Sequence, residues 1–405
     1  MAKPRTNPGR VAVVQVLLAV DQGEHVEDAL ARLAPVDPGD RALAWNLAMG
    51  VLRRRSGLDA VLVKAARRSV RTMDGATLAI LRMAIYERRY TRVPAHATVD
   101  QAVEVAKAVG VGLAAGFVNA VLRHQDGFDA SHEDWLGHPA WLRDRWRGRH
   151  GTAADIWMEA NNRPASVYLV AKEDPAGVAR AFQHAGVPLA PVGGDVFRID
   201  TPGSIPELPG FAEGRWWIMD PAAVAVADLV GELAPGTEVL DACAAPGGKS
   251  FRLAARGCRV TATDVDPERL VRVTDGAERL GLPVVTDTHD WTAGPRKGAF
   301  DVVLVDAPCT GLGTLRRHPD IRWRRHYHDV TAAASRQKAI LMNTAQVVRP
   351  GGALVYAVCS PEPEEGADVA RKLGWPIEET FDNAPGLDGQ DVFWAVRMRR
   401  PPLPG

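Results

Sequence analysis

Two cysteines in the C-terminal third of the chain each follow a run of residues typical of a buried strand. Cys309 lies in the segment DAPCTG (306–311), and Cys359 lies in LVYAVCSP (354–361). A cysteine thiolate is a nucleophile that can form a covalent bond to an electrophilic carbon atom. A single cysteine is more often an inert buried residue, but that alternative is weaker for two cysteines at strand ends around one crevice. The pair therefore indicates covalent chemistry.

A turn that contains two glycines lies upstream, in the segment DACAAPGGKS (241–250). Gly247 and Gly248 allow a ligand to approach the backbone closely, and the helix that begins near Lys249 points free N–H groups towards it. The segment matches neither GxGxxG nor the Walker pattern, which requires a glycine at the position of Cys243. It favours a nucleotide-like cofactor with a carboxylate over a phosphate, and the alternative is a tight strand–helix turn. With the two thiols, it indicates transfer of a group from a cofactor to an electrophilic ring.

Acidic residues end the next two predicted strands. Asp264 follows the strand 260–263 and can accept hydrogen bonds from ribose hydroxyls, as acidic residues do in dinucleotide-binding folds. The alternative role for Asp264 is that of an N-cap, which Asp266 could fill equally well. Asp287 ends a third strand and could bind an adenine amino group, with Asp290 as a nearby competitor that we favour less.

The inventory of reactive groups fits methylation of cytosine at C5. This carbon is a poor nucleophile until a thiolate adds to C6 and makes C5 enamine-like. A base must then remove the C5 proton so that the thiol can leave, and a carboxyl group near N3 assists the addition. Cys359, Cys309 and Asp306 are the predicted catalytic residues, and Pro308 makes the loop that carries the last two rigid.

Basic and aromatic residues alternate in the segment LRRHPDIRWRRH (315–326), directly after this loop. Such a composition suits phosphate neutralisation and base stacking, and the alternative is a solvated helix face. The residues predicted to contact RNA are Arg316, Arg317, His318, Arg322 and Trp323.

Composition excludes several classes of protein. The four cysteines are not spaced as CxxC pairs, so we expect no disulfide framework, no structural metal and a reducing compartment. The apolar run 11–20 is shorter than the roughly 20 residues of a membrane span, and acidic residues without a cleavage site follow it. We expect a buried helix there and no association with a membrane.

Charge is unevenly distributed although the formal net charge is zero. Residues 1–150 contain 22 Lys and Arg against 16 Asp and Glu, and the remainder has the opposite excess. A basic first part suggests a polyanionic partner. An ordinary arginine-rich helical surface explains the same numbers equally well.

The pattern of apolar residues predicts three regions, in agreement with the expectation of about 150 residues per domain. Residues 1–135 are predicted to form an all-α bundle of six or seven helices, with Asp40 and Asp74 as N-caps. Residues 136–215 are predicted to form a helical connector and a small α+β module. Residues 216–405 alternate strands and helices, which predicts a Rossmann-like, doubly wound and mostly parallel sheet with ligands at the carboxyl ends of its strands.

The motifs quoted above closely resemble those of the RNA cytosine-C5 methyltransferases of the Sun/Fmu (RsmB) type. In the N-terminal half, residues 80–87 (ILRMAIYE), 98–107 (TVDQAVEVAK) and 116–123 (GFVNAVLR) resemble the NusB antitermination-factor fold. The resemblance covers nearly the whole chain, and the two cysteine motifs are its most specific part.

This resemblance implies S-adenosylmethionine as cofactor and assigns the residues around it. Asp264 would hold the ribose, and Asp287 and Asp306 would complete the cofactor site. Cys359 would attack C6, and Cys309 would assist release of the product. DNA cytosine methyltransferases use the cysteine of the Pro-Cys loop as nucleophile, so the presence of Cys359 favours RNA. The residues that would hold the methionine part are Cys243, Ala244, Ala245, Pro246, Gly247, Gly248 and Lys249.

Three positions depart from the family pattern. Val358 replaces the usual threonine before the nucleophile, Met219 replaces a glutamine, and residues 167–171 stand where an Arg-x-Asn strand is usual. The last difference puts RNA contacts in the small module in doubt. No departure removes a thiol or a carboxylate of the cofactor site.

We therefore predict a cytoplasmic, S-adenosylmethionine-dependent RNA cytosine-C5 methyltransferase. Small-subunit (16S) ribosomal RNA is the expected substrate, before its assembly is complete, because the base must be flipped out of its stack. One alternative is the same chemistry on transfer RNA. Another is a NusB-like RNA-binding or transcription module with an inactive methyltransferase domain. Val358 and the missing Arg-x-Asn support this alternative, and the intact Cys359, Cys309 and glycine turn oppose it. The sequence leaves the oligomeric state open, with a monomer favoured.

Overall fold

The computed structural model describes residues 7–32, 37–200, 203–384 and 388–402. The chain forms two compact units: Met1–Pro164 with Leu315–His326, and Ala165–Thr314 with Tyr327–Gly405. This division differs from the boundaries predicted at residues 135 and 215. The connector joins the first unit and the small module joins the second.

Sixteen α-helices occur in the described part of the chain. They are α1 Pro8–Asp21, α2 Val26–Ala31, α3 Pro38–Ala66, α4 Gly75–Tyr90, α5 Ala95–Ala108, α6 Ala115–His124, α7 His132–Trp135, α8 Ala140–His150, α9 Ala153–Ala160, α10 Pro175–His184, α11 Pro221–Asp228, α12 Gly248–Ala255, α13 Pro267–Leu280, α14 Ile321–Arg324, α15 Tyr327–Thr344 and α16 Ala367–Ala370. Within the described ranges, none of these helices is both long and apolar enough to cross a membrane.

Eleven β-strands accompany them in the same described ranges. They are β1 Val167–Ala171, β2 Leu189–Gly193, β3 Val196–Ile199, β4 Trp216–Ile218, β5 Glu238–Asp241, β6 Arg259–Asp264, β7 Val284–Thr288, β8 Phe300–Asp306, β9 Val348–Val358, β10 Ile377–Asp382 and β11 Trp394–Arg399. All eleven lie in the second unit.

Helices α1 to α6 form the predicted bundle, and their alanine-, valine- and leucine-rich faces share one core. Asp74 caps α4 as predicted, because its carboxylate accepts a hydrogen bond from the Thr77 N–H at 2.8 Å. The cap of α3 differs from the prediction. Asp37 accepts from the Gly39 N–H at 2.8 Å, because Pro38 occupies the first helical position, which proline favours.

Aromatic packing explains why the connector belongs to the first unit. Trp146 of α8 is fully buried and stacks on Trp157 of α9, with ring centroids 4.5 Å apart. Asn162, after α9, donates a hydrogen bond to the Leu136 carbonyl at 2.8 Å. The connector therefore folds on itself and continues the helical unit.

The second unit is built on a seven-stranded sheet of order β10-β11-β9-β8-β5-β6-β7. The five strands from β9 to β7 are parallel, and β11 pairs antiparallel with β9 on one side and with β10 on the other. Along β8, Val302 and Leu304 enter one apolar core while Val303 and Val305 enter the other, as the two-residue period of a strand requires. The predicted doubly wound sheet is confirmed, and the carboxyl ends of its parallel strands carry the motifs described above.

The small module is an antiparallel sheet of order β2-β3-β1-β4 with α10. Tyr168 and Trp217 of this sheet share a buried apolar core with Phe251 of α12 and Ala277 of α13. The module is therefore part of the unit that carries the large sheet.

Candidate active site

The two cysteines of the sequence motifs lie side by side at the end of neighbouring strands. Strands β8 and β9 pair in parallel as far as Asp306 and Ala357, and Cys309 and Cys359 follow in the next two loops. Their Sγ atoms are 3.2 Å apart, and both side chains are partly buried. The structure thus brings the predicted nucleophile and its predicted partner into direct contact.

The environment of the pair distinguishes the two thiols. The hydrogen bond with Cys359 raises the pKa of Cys309 well above its ordinary value, and burial and the negative charges of Cys359, Glu365 and Asp306 act in the same direction. Two adjacent thiolates would repel each other in this partly desolvated site. The thiol form of Cys309 is therefore favoured while Cys359 lies beside it.

A lysine from the glycine turn supplies positive charge beside the thiols. The ammonium of Lys249 lies 2.5 Å from the carboxylate of Asp306. Burial alone would lower the pKa of Lys249, but the charge and hydrogen bond of Asp306, with the charges of Asp241 and Cys359, raise it. Lys249 therefore stays protonated and fixes the predicted catalytic carboxylate.

The glycine turn itself has a shape that only glycine permits at one position. Gly247 has φ +111°, in the left-handed region. A Cβ atom added there would lie 2.5 Å from the ring of Phe251. Helix α12 begins at Gly248, so its first N–H groups lie at the carboxyl end of β5, as predicted for the cofactor turn. Cys243 lies in this turn, and burial raises its thiol pKa well above the ordinary value.

Asp241, which precedes the turn, was not among the predicted site residues. Its side chain is buried and accepts a hydrogen bond from the Ser250 hydroxyl at 2.7 Å. Its other oxygen, Oδ1, has no hydrogen-bond partner within the described residues. Burial raises the pKa of Asp241 to about 6, although the Ser250 hydrogen bond opposes the shift. Asp241 is the first residue of the motif DACAAPGGKS, and this position at the end of a strand was the feature of the sequence that could have identified it.

Asp264 lies beside the turn and is not the N-cap of the following helix. Its carboxylate is nearly fully buried and accepts hydrogen bonds from the N–H groups of Ala245 at 3.3 Å and Asp266 at 3.1 Å. Asp266 caps α13 by accepting from the Glu268 N–H at 2.9 Å. The alternative role for Asp264 is thereby removed, and its position fits the predicted ribose contact.

Asp287 and Asp290 have different surroundings. Asp287 lies on β7, forms an ion pair with Arg296 at 3.0 Å, and lines an open cavity of about 460 Å³ with Val271. Asp290 instead accepts hydrogen bonds from the hydroxyl and N–H of Thr292 at 2.6 and 2.8 Å. These bonds lower the pKa of Asp290 and close a local turn. Asp287 therefore remains the better candidate for the adenine contact.

The basic segment 315–326 belongs to the helical unit, and this corrects one predicted RNA contact. The side chain of Arg322 has no exposed surface, so its guanidinium cannot reach RNA. Arg316 is also buried, whereas Arg317 and His318 are partly exposed. The five acceptors of the Arg322 guanidinium are the carbonyl oxygens of Arg53, Gly137, Asn161 and Leu315 and the Oδ1 atom of Asn162, at 2.7 to 3.3 Å.

Trp323 is tied to the same unit but keeps part of its ring accessible. Its indole N–H donates to the Leu52 carbonyl at 2.7 Å, and the guanidinium of Arg55 lies over its ring at 5.3 Å. The sequence predicts a surface for RNA here because the segment is basic and aromatic. The carbonyl groups that accept hydrogen bonds from Arg322 and Trp323 lie far away in the chain, and local sequence does not reveal them.

Two methyltransferases of known family are similar to this chain over most of its length. A ribosomal RNA small subunit methyltransferase B of Xanthomonas campestris is 37% identical over 371 residues, which cover 87% of this chain and 84% of that protein. Its namesake in Klebsiella pneumoniae is 32% identical over 98% of this chain and 99% of that protein. The chain belongs to this methyltransferase family. The family model described as 16S rRNA methyltransferase RsmB/F matches residues 229–373, and that of the NusB family matches residues 7–126.

Solved structures agree with the fold. The crystal structure of PH0851 has a TM-score of 0.83 and 20% identity, covering 99% of this chain and 100% of that chain. A methyltransferase homolog protein from Pyrococcus horikoshii has a TM-score of 0.57 and 25% identity, covering 65% of this chain and 96% of that chain. At 20% identity, the similarity to PH0851 shows the fold alone.

Members of this family are S-adenosylmethionine-dependent methyltransferases, and the residues of the turn fit that cofactor. The positive-φ turn at Gly247, the buried carboxylate of Asp264 and the Oδ1 atom of Asp241, unpaired among the described residues, lie around the carboxyl end of β5. Helix N–H groups suit the carboxylate of an amino-acid moiety. Carboxylate oxygens suit its ammonium group and the hydroxyls of a ribose.

Proposed function

We propose that this chain methylates C5 of a cytosine in small-subunit (16S) ribosomal RNA, through a covalent bond between the Cys359 sulfur and C6. The observation that carries the proposal is the 3.2 Å separation of the Cys359 and Cys309 sulfur atoms. Two thiols in contact suit a reaction in which one thiol forms a bond to the ring and another group must then take a proton from that ring.

Cys359 acts as the nucleophile. Its thiolate forms a bond to C6, and the electrons of the C5–C6 double bond make C5 enamine-like. When bound, S-adenosylmethionine would supply the electrophilic methyl group that C5 accepts, and S-adenosylhomocysteine would be the leaving group. The C5 proton then passes to a base, the C5–C6 double bond returns, and the C6–sulfur bond breaks to release Cys359 as thiolate.

The surroundings of Cys309 support its assignment to proton removal and product release. Contact with Cys359 is the largest cause of its raised pKa. Once the Cys359 sulfur is bonded to C6, it no longer carries a negative charge. The largest cause of the raised pKa of Cys309 is therefore gone at the step when a base is required. Cys309 then loses its thiol proton to water, and the resulting thiolate accepts the C5 proton.

Asp306 completes the proposed catalytic group. Lys249 holds its carboxylate at 2.5 Å, directly before the loop that carries Cys309. A carboxyl group held there can support addition of the thiolate through contact with N3 of the base. The cofactor would be held by the turn of residues 243–249, together with Asp264 and Asp287.

RNA as the substrate rests on three kinds of support. The relatives are named for methylation of the ribosomal small subunit, the first 150 residues are basic, and Arg317 and His318 keep part of their surface exposed. A target cytosine must leave its stack to reach a thiol, so we expect RNA that is not yet fully assembled into the subunit.

The test uses S-adenosylmethionine with a deuterated methyl group, a 16S rRNA transcript and a transfer RNA mixture. After digestion to nucleosides, mass spectrometry should find the label in 5-methylcytidine from the 16S transcript. Label in another nucleoside would contradict the C5 assignment. Label only in transfer RNA would show that transfer RNA, and not 16S rRNA, is the substrate. No label in either RNA would favour the binding module with an inactive methyltransferase domain.

A further inference from the structure

A buried glutamate connects the loops that carry the two thiols. Glu365 lies between β9 and α16, and its side chain has no exposed surface. Its Oε1 atom accepts hydrogen bonds from the Thr310 N–H at 2.7 Å and from Gln337 Nε2 at 3.1 Å. Its Oε2 atom accepts from the hydroxyls of Thr310 and Ser360, each at 2.5 Å. Four donors thus converge on one carboxylate.

These donors flank the reactive sulfur atoms. Thr310 follows Cys309 directly in the chain, and Ser360 follows Cys359. Gln337 also donates to the carbonyl of Pro308, the residue before Cys309, at 3.2 Å. The carboxylate therefore contacts the neighbours of both thiols and joins one loop to the other.

The sheet alone does not fix the position of the sulfur atoms. The parallel pairing of β8 with β9 ends at Asp306 and Ala357, before either cysteine is reached. A backbone hydrogen bond from the Gly313 N–H to the Cys359 carbonyl, at 3.0 Å, lies beyond the thiols. Between these two points, the loops are joined by a 3.3 Å contact between the Thr310 and Ser360 hydroxyls and by the hydrogen bonds of Glu365, which accepts from both hydroxyls.

A carboxylate in such a place needs compensation. Burial raises the pKa of Glu365, and the hydrogen bonds from Ser360, Thr310 and Gln337 oppose the rise. Burial of a carboxyl group is unfavourable unless donors surround it. All of the donors to Glu365 come from the thiol loops or from α15.

We propose that Glu365 is a positioning residue that holds the two thiols in register for the reaction. This inference rests on the proposed two-thiol mechanism. Glu365 does not touch the base or the cofactor in this role. It acts through Thr310 and Ser360, and what matters is the shape of its hydrogen-bonding fork rather than its charge.

Comparison of alanine with glutamine separates shape from charge. In Glu365→Gln, the amide oxygen can still accept from the Thr310 N–H and Gln337. The amide nitrogen can donate to the hydroxyls of Thr310 and Ser360, which can turn to accept. Glu365→Ala loses all of these bonds. We expect kcat to fall about 100-fold in Glu365→Ala, as for a misplacement of about 1 Å, and only a few-fold in Glu365→Gln.

A second measurement reports thiol position without any methyl transfer. Diamide accepts one hydrogen from each thiol and becomes the hydrazine while a disulfide forms. Its rate of joining Cys309 to Cys359 can be followed by quenching with N-ethylmaleimide, digestion and mass spectrometry of the linked peptides. We expect rapid cross-linking in the unmodified protein and in Glu365→Gln, and at least tenfold slower cross-linking in Glu365→Ala.

Two further variants keep this test decisive if Glu365→Ala does not fold. Ser360→Ala removes one of the four bonds to Glu365, together with the 3.3 Å contacts of the Ser360 hydroxyl with the Thr310 hydroxyl and the Glu362 N–H. We expect about fivefold slower cross-linking. Asp301→Asn, at the other end of β8, removes a carboxylate that accepts from the Glu238 N–H at 3.1 Å. We expect this control to leave both rates unchanged.

The outcomes are distinct. Cross-linking at the unmodified rate in Glu365→Ala or Ser360→Ala would overturn the proposal, and so would a Glu365→Gln variant as slow as Glu365→Ala. A protein that cross-links as expected but transfers no methyl group would refute the proposed function and leave the role of Glu365 in thiol geometry intact.

Discussion

Replacement of Arg322 by methionine should strongly destabilise the helical unit. The guanidinium has no exposed surface and donates five hydrogen bonds. Burial lowers the pKa of Arg322 well below its ordinary value. The charge therefore has an unfavourable environment, which its neutral acceptors offset only in part.

The magnitude follows from two opposing terms. An acceptor left without a partner in the interior costs about 1–3 kcal/mol. Arg322→Met removes a donor from five acceptors, of which the Arg53 carbonyl, inside α3, keeps its helical hydrogen bond. Removal of the buried charge and relaxation of the carbonyl groups stabilise the folded variant, and so offset part of this loss in the free energy of unfolding. Substitutions that break a buried hydrogen-bond network lie in the upper range of single-residue effects, and we expect a net loss of about 3–5 kcal/mol for the unfolding of the helical unit.

The assay is urea unfolding combined with hydrogen exchange read by mass spectrometry. In Arg322→Met, amide protection should fall around Arg53, Gly137 and Asn161, the residues whose carbonyls it contacts. The control is Arg325→Met in the same segment, whose side chain is partly exposed and which should cost less than about 1 kcal/mol. Equal stability of the two variants would refute the assignment of Arg322 to the interior.

Three other predictions concern the cofactor turn. Because the pKa of Asp241 is about 6 in the folded protein and 3.8 ordinarily, the folded state holds an extra proton between about pH 4 and 6. The free energy of unfolding, measured by urea titration, should fall by about 3 kcal/mol as pH rises through that window. This pH dependence should be absent from Asp241→Asn, and the same slope of free energy against pH in the variant would contradict the prediction. Gly247→Ala should lower stability more than Gly281→Ala, which has positive φ but no atom within 4 Å of the added Cβ, and calorimetry should find weaker cofactor binding; equal losses would show that Phe251 yields. Lys249→Met should reduce methyl transfer more than tenfold through the loss of its ion pair with Asp306, and a rate within twofold of the unmodified protein would contradict that role.

The parts of the site that local sequence could predict are those attached directly to strand ends. Asp264, Cys309 and Cys359 each follow an apolar run, and the topology of a parallel sheet brings such ends to one edge. Their proximity therefore follows from strand order, which the alternation of elements already indicated.

The parts that could not be predicted depend on contacts distant in the chain. Arg322 meets acceptors near residues 53, 137 and 161, and no local pattern distinguishes a buried arginine from the exposed ones beside it. Glu365 is one of three glutamates in a short loop, and only the three-dimensional structure identifies the one that accepts from Thr310 and Ser360. The connector was separated from the bundle because the stacking of Trp146 on Trp157 is a tertiary contact.

The central claim is that Cys359 bonds to RNA and Cys309 releases it. The most direct test is a denaturing gel of the Cys309→Ala variant, incubated with S-adenosylmethionine and a 16S rRNA transcript. We predict a protein–RNA adduct that is stable to denaturation and absent from the Cys309→Ala/Cys359→Ala double variant. An adduct that persists in the double variant, or one that forms in Cys359→Ala alone, would contradict the assignment of the nucleophile.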